Sequence, residues 1–134
     1  MKAVIDTNVI ISALLTPSGP SARIVALVLN GTITIVYDNK ILAEYSDVLN
    51  RKKLRIDNEL VNLIIGFISK EGEFILAGPQ KVKFDDEDDR IFYELYKSDG
   101  VDFLVTGNTR HFPREKGIVS PKKFLDEISG ISLL

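Results

Sequence analysis

The chain has 134 residues, 45% hydrophobic and 27% charged, the size and composition of one folded domain spanning residues 1–134 rather than of a disordered segment. It contains no Cys, which excludes a disulfide framework and a thiolate metal site and agrees with a reducing, cytoplasmic setting. The net charge of −2, from 17 Lys+Arg and 19 Asp+Glu, neither supports nor excludes a nucleic-acid substrate, because an acidic cation site can mask a basic surface in the sum.

The opening MKAVIDTNVIISALL has an apolar run broken at Asp6, Thr7 and Asn8, too short for a membrane span and a poor signal peptide; no membrane role is expected. KAVI predicts a buried strand over residues 2–5, and residues 9–15 predict a short helix stopped by Pro17-Ser18-Gly19-Pro20. Ser21 is placed to cap a second helix over 22–29, which ends at Asn30-Gly31; TITIVY then predicts a strand over 32–37. Asp38 is a good N-cap for a helix whose Ile41, Leu42, Tyr45, Val48 and Leu49 form one apolar stripe. A basic turn (51–55), an amphipathic helix (58–70) and a short edge strand (74–76) follow. DDEDD at 85–89 opens a further helix, VDFLVT predicts a strand over 101–106, and residues 118–119 a last short strand before a helix begun by Pro121. Strands alternating with helices imply right-handed βαβ units, a parallel sheet, and a site beyond the carboxyl ends of the strands where strand order reverses.

Carboxylates fall where such a site belongs. Asp6 directly follows the first strand, with Thr7 and Asn8 beside it; a strand-to-helix turn with a capping Asp is the plain alternative. Glu44 lies at the edge of the apolar stripe, where a partly desolvated carboxylate needs a cation, either a metal ion or Lys40 or a nearby Arg. The acids at 85–89 suit the first turn of a helix, but five in succession exceed what capping needs, and a bound cation is the economical counter-charge. Helical spacing does not choose between Asp88 and Asp89 as the one facing the sheet end. Asn108, after Thr106 and Gly107, is another carboxyl-end position. His111, the one histidine, fits a packing and hydrogen-bonding role better than proton transfer. There is no phosphate loop and no G-x-G-x-x-G, and Asn8 removes the second carboxylate of the D-x-D phosphatase pattern.

VIDTNVIISAL, ILAEYSDVL and DDEDDRIFYELYKSDGVDFLVTGN, in this order and spacing, resemble the PIN-domain family. HFP followed by a short strand and S-P-K-K-F is similar to its VapC-like branch of toxins from toxin–antitoxin pairs. The resemblance implies a three-layer α/β/α sandwich with a parallel sheet of about five strands. It implies cleavage of single-stranded RNA with Mg²⁺ or Mn²⁺, leaving a 5′-phosphate and a 3′-hydroxyl, and, as partners, a cognate antitoxin and a second copy in a homodimer. Carried over residue by residue, it assigns Asp6, Glu44 and Asp89 as catalytic and metal-binding, with Asp86 a further ligand and Thr7, Asn8, Thr106 and Asn108 auxiliary. Many members carry an Asp where this chain has Asn108, a difference that Asp86 or Asp102 would have to make up. Arg110, Arg114 and Lys116, just past the Asn108 turn, are the preferred candidates to contact the RNA backbone, ahead of Arg51, Lys52, Lys53 and Arg55.

Overall fold

The structure, a computed structural model, describes residues 1–132. Its core is a sheet of β1 (Lys2–Ile5), β2 (Thr34–Tyr37), β3 (Glu73–Phe74), β4 (Phe103–Val105) and β5 (Ile118–Val119), all parallel and ordered β3-β2-β1-β4-β5. The helices are α1 (Thr7–Leu15), α2 (Pro20–Leu29), α3 (Asn39–Leu49), α4 (Asn58–Glu71), α5 (Arg90–Tyr96) and α6 (Pro121–Ser132). They cover both faces, giving the three-layer α/β/α arrangement. That is why the central strands are apolar without alternation: Ala3, Val4, Ile5, Leu104 and Val105 are buried on both sides. No single helix among the described residues is long and apolar enough to cross a membrane.

Several boundaries differ from the pattern in the sequence, each for a local reason. The first helix begins at Thr7, because Asp6 itself is the cap and the helix needs no free turn before it. Ser21 does not cap the second helix: Gly19 takes that position without a side-chain bond, Pro20 opens the first turn, and Ser21 is buried inside the helix. The second strand starts at Thr34 because Asn30 Oδ1 accepts from the Thr32 N–H at 2.9 Å and Gly31 turns the chain at φ 86°, so Thr32 belongs to the turn. The acidic run does not enter the helix as one block: Asp85 and Asp86 precede a 3-10 turn at Glu87–Asp89, and α5 starts at Arg90.

The chain leaves β1 to build β2 on one side and returns to lay β4 on the other. The reversal therefore falls between β1 and β4, at whose carboxyl ends stand Asp6 and Thr106. Helix α3 is registered to the same point: buried Tyr45 donates its hydroxyl to the Ile5 carbonyl, and Asp38 caps the helix by accepting from the Ile41 N–H at 2.9 Å.

Candidate active site

Asp6 is the centre of the arrangement. It is only 6% exposed, and its Oδ2 accepts from the Thr106 hydroxyl at 2.8 Å. Its Oδ1 has only a long contact, 3.5 Å, to the Asn8 N–H. No Lys, Arg or His pairs with it among the described residues. Burial pushes its carboxyl up to about 6; the bonds from Thr106 and Asn8 oppose the rise, and the charges of Asp89 and Glu44 add to it.

Glu44 sits one residue before Tyr45, so the bond locking Tyr45 to β1 also carries Glu44 to the site. Its Oε2 accepts from the Thr7 hydroxyl at 3.1 Å, and partial burial raises its carboxyl above the ordinary value. It pairs with neither Lys40 nor an arginine at salt-bridge distance. Thr7 orients this acid, and Asn8 ties two turns together by accepting at Oδ1 from the Gly107 N–H at 3.1 Å. Thr106 also accepts from the Asn108 N–H at 3.0 Å, so one hydroxyl fixes both Asp6 and the turn after β4.

The five successive acids have separate tasks. Asp86 accepts from the Asp88 N–H at 3.0 Å, and Glu87 pairs with Arg90 at 2.6 Å. Asp88 is exposed and raises Glu44, whereas Asp89 is half-buried and raises Asp6. Asp89 thus acts on Asp6, and Asp88 on Glu44. Burial, then the charge of Asp86, raises its carboxyl, and His111 Nδ1, 3.4 Å away, opposes that rise. Arg90 supplies part of the counter-charge to this run, through its pair with Glu87. His111 hydrogen-bonds to Asp89, its side chain 55% exposed beside an Asp89 that is 18% exposed, a contact with no signal in the local sequence. Asp102 cannot replace the acid missing at Asn108, since it accepts from the Lys2 N–H at 2.9 Å, at the amino end of the strands.

Asp6 therefore feels the charge of both Glu44 and Asp89 at one end of the sheet. Among the described residues, however, no three or more Asp, Glu or His side chains stand close enough together to hold a metal ion between them. The donor chemistry fits a hard divalent cation: a buried carboxylate with an underused oxygen and no cationic partner, next to two further carboxylates. Mg²⁺ in particular keeps several waters and binds through one or two carboxylates rather than a complete protein cage, so an open set suits it.

Beside the acids is a pocket of about 400 Å³ lined by Asp85, Asp86, Asp89, Lys83, Arg110 and His111. Arg110 and Phe112 also line a larger cleft of about 670 Å³ that contains Arg114 and Lys116. Arg51 pairs with Asp47 at 3.4 Å, and Lys52, Lys53 and Arg55 lie on or beside an exposed 3-10 turn.

No curated protein and no solved structure matches the chain. The sequence profile of the PIN domain matches residues 2–110, which include Asp6, Glu44, Asp89 and Asn108. With that span, this strand order and acids gathered at the reversal between β1 and β4, the chain belongs to the PIN-domain family.

Proposed function

We propose that the protein is a ribonuclease that hydrolyses single-stranded RNA with Mg²⁺ or Mn²⁺, as the toxin of a toxin–antitoxin pair. The family supports the nuclease class, since PIN domains are generally nucleases. The observation that carries the reading is the buried Asp6 carboxylate at the strand-order reversal, without a cationic partner and flanked by Glu44 and Asp89. The toxin assignment rests on the tail, where HFP, a short strand and S-P-K-K-F resemble the VapC-like branch. A cognate antitoxin, a homodimeric state and a cytoplasmic setting belong to that assignment.

Asp6, Glu44 and Asp89 would hold the ion, with Asp86 beside them. When bound, the ion lowers the pKa of its water and offsets charge developing on the phosphoryl oxygens. Thr106 holds Asp6 in one orientation and leaves Oδ1 available; Thr7 does the same for Glu44. Asn8 and Thr106 fix the β4 turn, and with it Asn108, against the β1 turn.

The test is cleavage of varied single-stranded RNAs by purified protein with Mg²⁺ or Mn²⁺, its arrest by chelator, and its loss in Asp6→Asn. Products with a 5′-phosphate and a 3′-hydroxyl are expected. Activity indifferent to chelator, or surviving Asp6→Asn, overturns the reading. A second reading, an RNA- or protein-binding module without cleavage, draws on Asn108 and on the finding that, among the described residues, no three acids stand close enough to hold a metal ion between them; RNA binding with no metal-dependent cleavage would select it.

A further inference from the structure

We propose that the 670 Å³ cleft beside the acids is a phosphate-binding subsite for single-stranded RNA, which Arg110, Arg114, Lys116 and Lys123 close around a backbone phosphate. The inference deepens the ribonuclease reading and rests on it for the choice of RNA. Its volume lies within the roughly 300–1,000 Å³ of ordinary ligand sites. All four cations are exposed, and none forms an ion pair among the described residues. The acid in the cleft, Glu115, is already engaged: its carboxylate accepts from Tyr93 and pairs with Lys97 at 2.8 Å. The cleft therefore carries uncompensated positive charge in a chain whose net charge is −2.

That charge has a reason to be there. An RNA strand approaching Asp6, Glu44 and Asp89 meets like charge, and a neighbouring cationic anchor offsets the repulsion. Arg110 and Phe112 are shared by the cleft and the acidic pocket, so a strand seated in one continues into the other. Beyond Arg110 the cleft residues lie outside the span matched to the PIN domain.

The experiment is binding of a labelled single-stranded RNA to the full chain in chelator, where the strand stays intact, followed by fluorescence anisotropy over a range of salt. The variant Arg114→Ala with Lys123→Ala is expected to raise Kd by on the order of tenfold. It should also flatten the slope of log K against log salt by about 0.7 per lost contact. Lys70→Ala, at the end of α4 remote from the cleft, should change neither. Running the RNA with and without a 5′-phosphate separates the two sources of the bound group: an equal loss for both identifies an internal diester, and a loss only for the phosphorylated strand a terminal monoester. If the double variant binds both strands as the wild type does, with the same salt slope, the proposal falls. A protein that loses RNA binding in the double variant yet never cleaves would overturn the nuclease reading and leave the subsite standing.

Discussion

Thr106 donates its hydroxyl to Asp6 Oδ2 at 2.8 Å, joining the ends of two adjacent strands that lie 100 residues apart in the chain. The Thr106 hydroxyl oxygen in turn accepts from the Asn108 N–H. Thr106→Val keeps the shape and deletes both bonds, leaving a buried carboxylate oxygen and a partly buried N–H without partners. The expected loss is about 1–3 kcal/mol of stability, with Asp6 pushed further above its ordinary value. Thr106→Ser should restore most of both. Chemical denaturation of the three proteins checks this; an unchanged midpoint for Thr106→Val would show that the bonds contribute nothing net.

Asp6 makes the metal-free fold pH-dependent, with a sign set by its raised pKa. Its ordinary value is 3.8 and its folded value about 6, so the folded state binds the proton more tightly than the unfolded chain. The contribution to stability is fully present below 3.8 and is lost as pH rises through about 6. The difference amounts to about 3 kcal/mol. Asp6→Asn should remove this dependence, because the amide oxygen can still accept from Thr106 and carries no charge to desolvate. In chelator at neutral pH the variant should melt at or above the wild-type temperature while losing cleavage. A large loss of stability at neutral pH would make Asp6 a structural rather than a cation-binding residue.

Asp89 and His111 form the second pair to separate. Burial and the charge of Asp86 raise the Asp89 carboxyl, so its ionised form is a cost to the metal-free fold. Asp89→Asn should therefore abolish cleavage yet leave the chelated protein within about 0.5 kcal/mol of wild type or more stable. His111→Ala should reduce cleavage far less than Asp89→Asn, since an exposed ring beside one oxygen of Asp89 orients that acid rather than replaces it. Equal losses in rate would give His111 a direct part in the chemistry.

Much of this site is legible in the sequence because its anchors are local. Asp6 follows a strand, Glu44 lies at the edge of a helical stripe, and Asp38 precedes a helix; each position follows from backbone periodicity and capping. What the sequence does not carry is long-range contact. Nothing near Tyr45 indicates that its hydroxyl reaches Ile5, and nothing near His111 points to Asp89. The acidic run is ambiguous for a physical reason: a 3-10 turn replaces the expected first helical turn, so helical spacing counted from Asp85 misplaces the side chains. Lys123 reads in the sequence as an ordinary exposed position in the first turn of α6, and only the fold of the 109–120 segment places it on one cleft with Arg114.

Asn108 tests how many acids the chemistry needs. It ends the β4 turn, its side chain makes no capping bond to the 3-10 turn that follows, and it is exposed. Asn108→Asp is nearly isosteric, and Asp is a favoured residue at the start of a helical turn, so the backbone has no reason to move. The substitution adds one negative charge near Asp6 and should raise the Asp6 carboxyl further in the metal-free protein, deepening the loss of stability toward neutral pH. The same charge attracts a divalent ion, so Mn²⁺ titrated into the variant should bind several-fold more tightly, and cleavage should be kept or increased. Binding that tightens while cleavage is unchanged would show that the three assigned acids already hold the ion well enough for the reaction. Loss of cleavage with the fold intact would show that the neutral amide is required at this position, and that the four-acid arrangement is the wrong template for this chain.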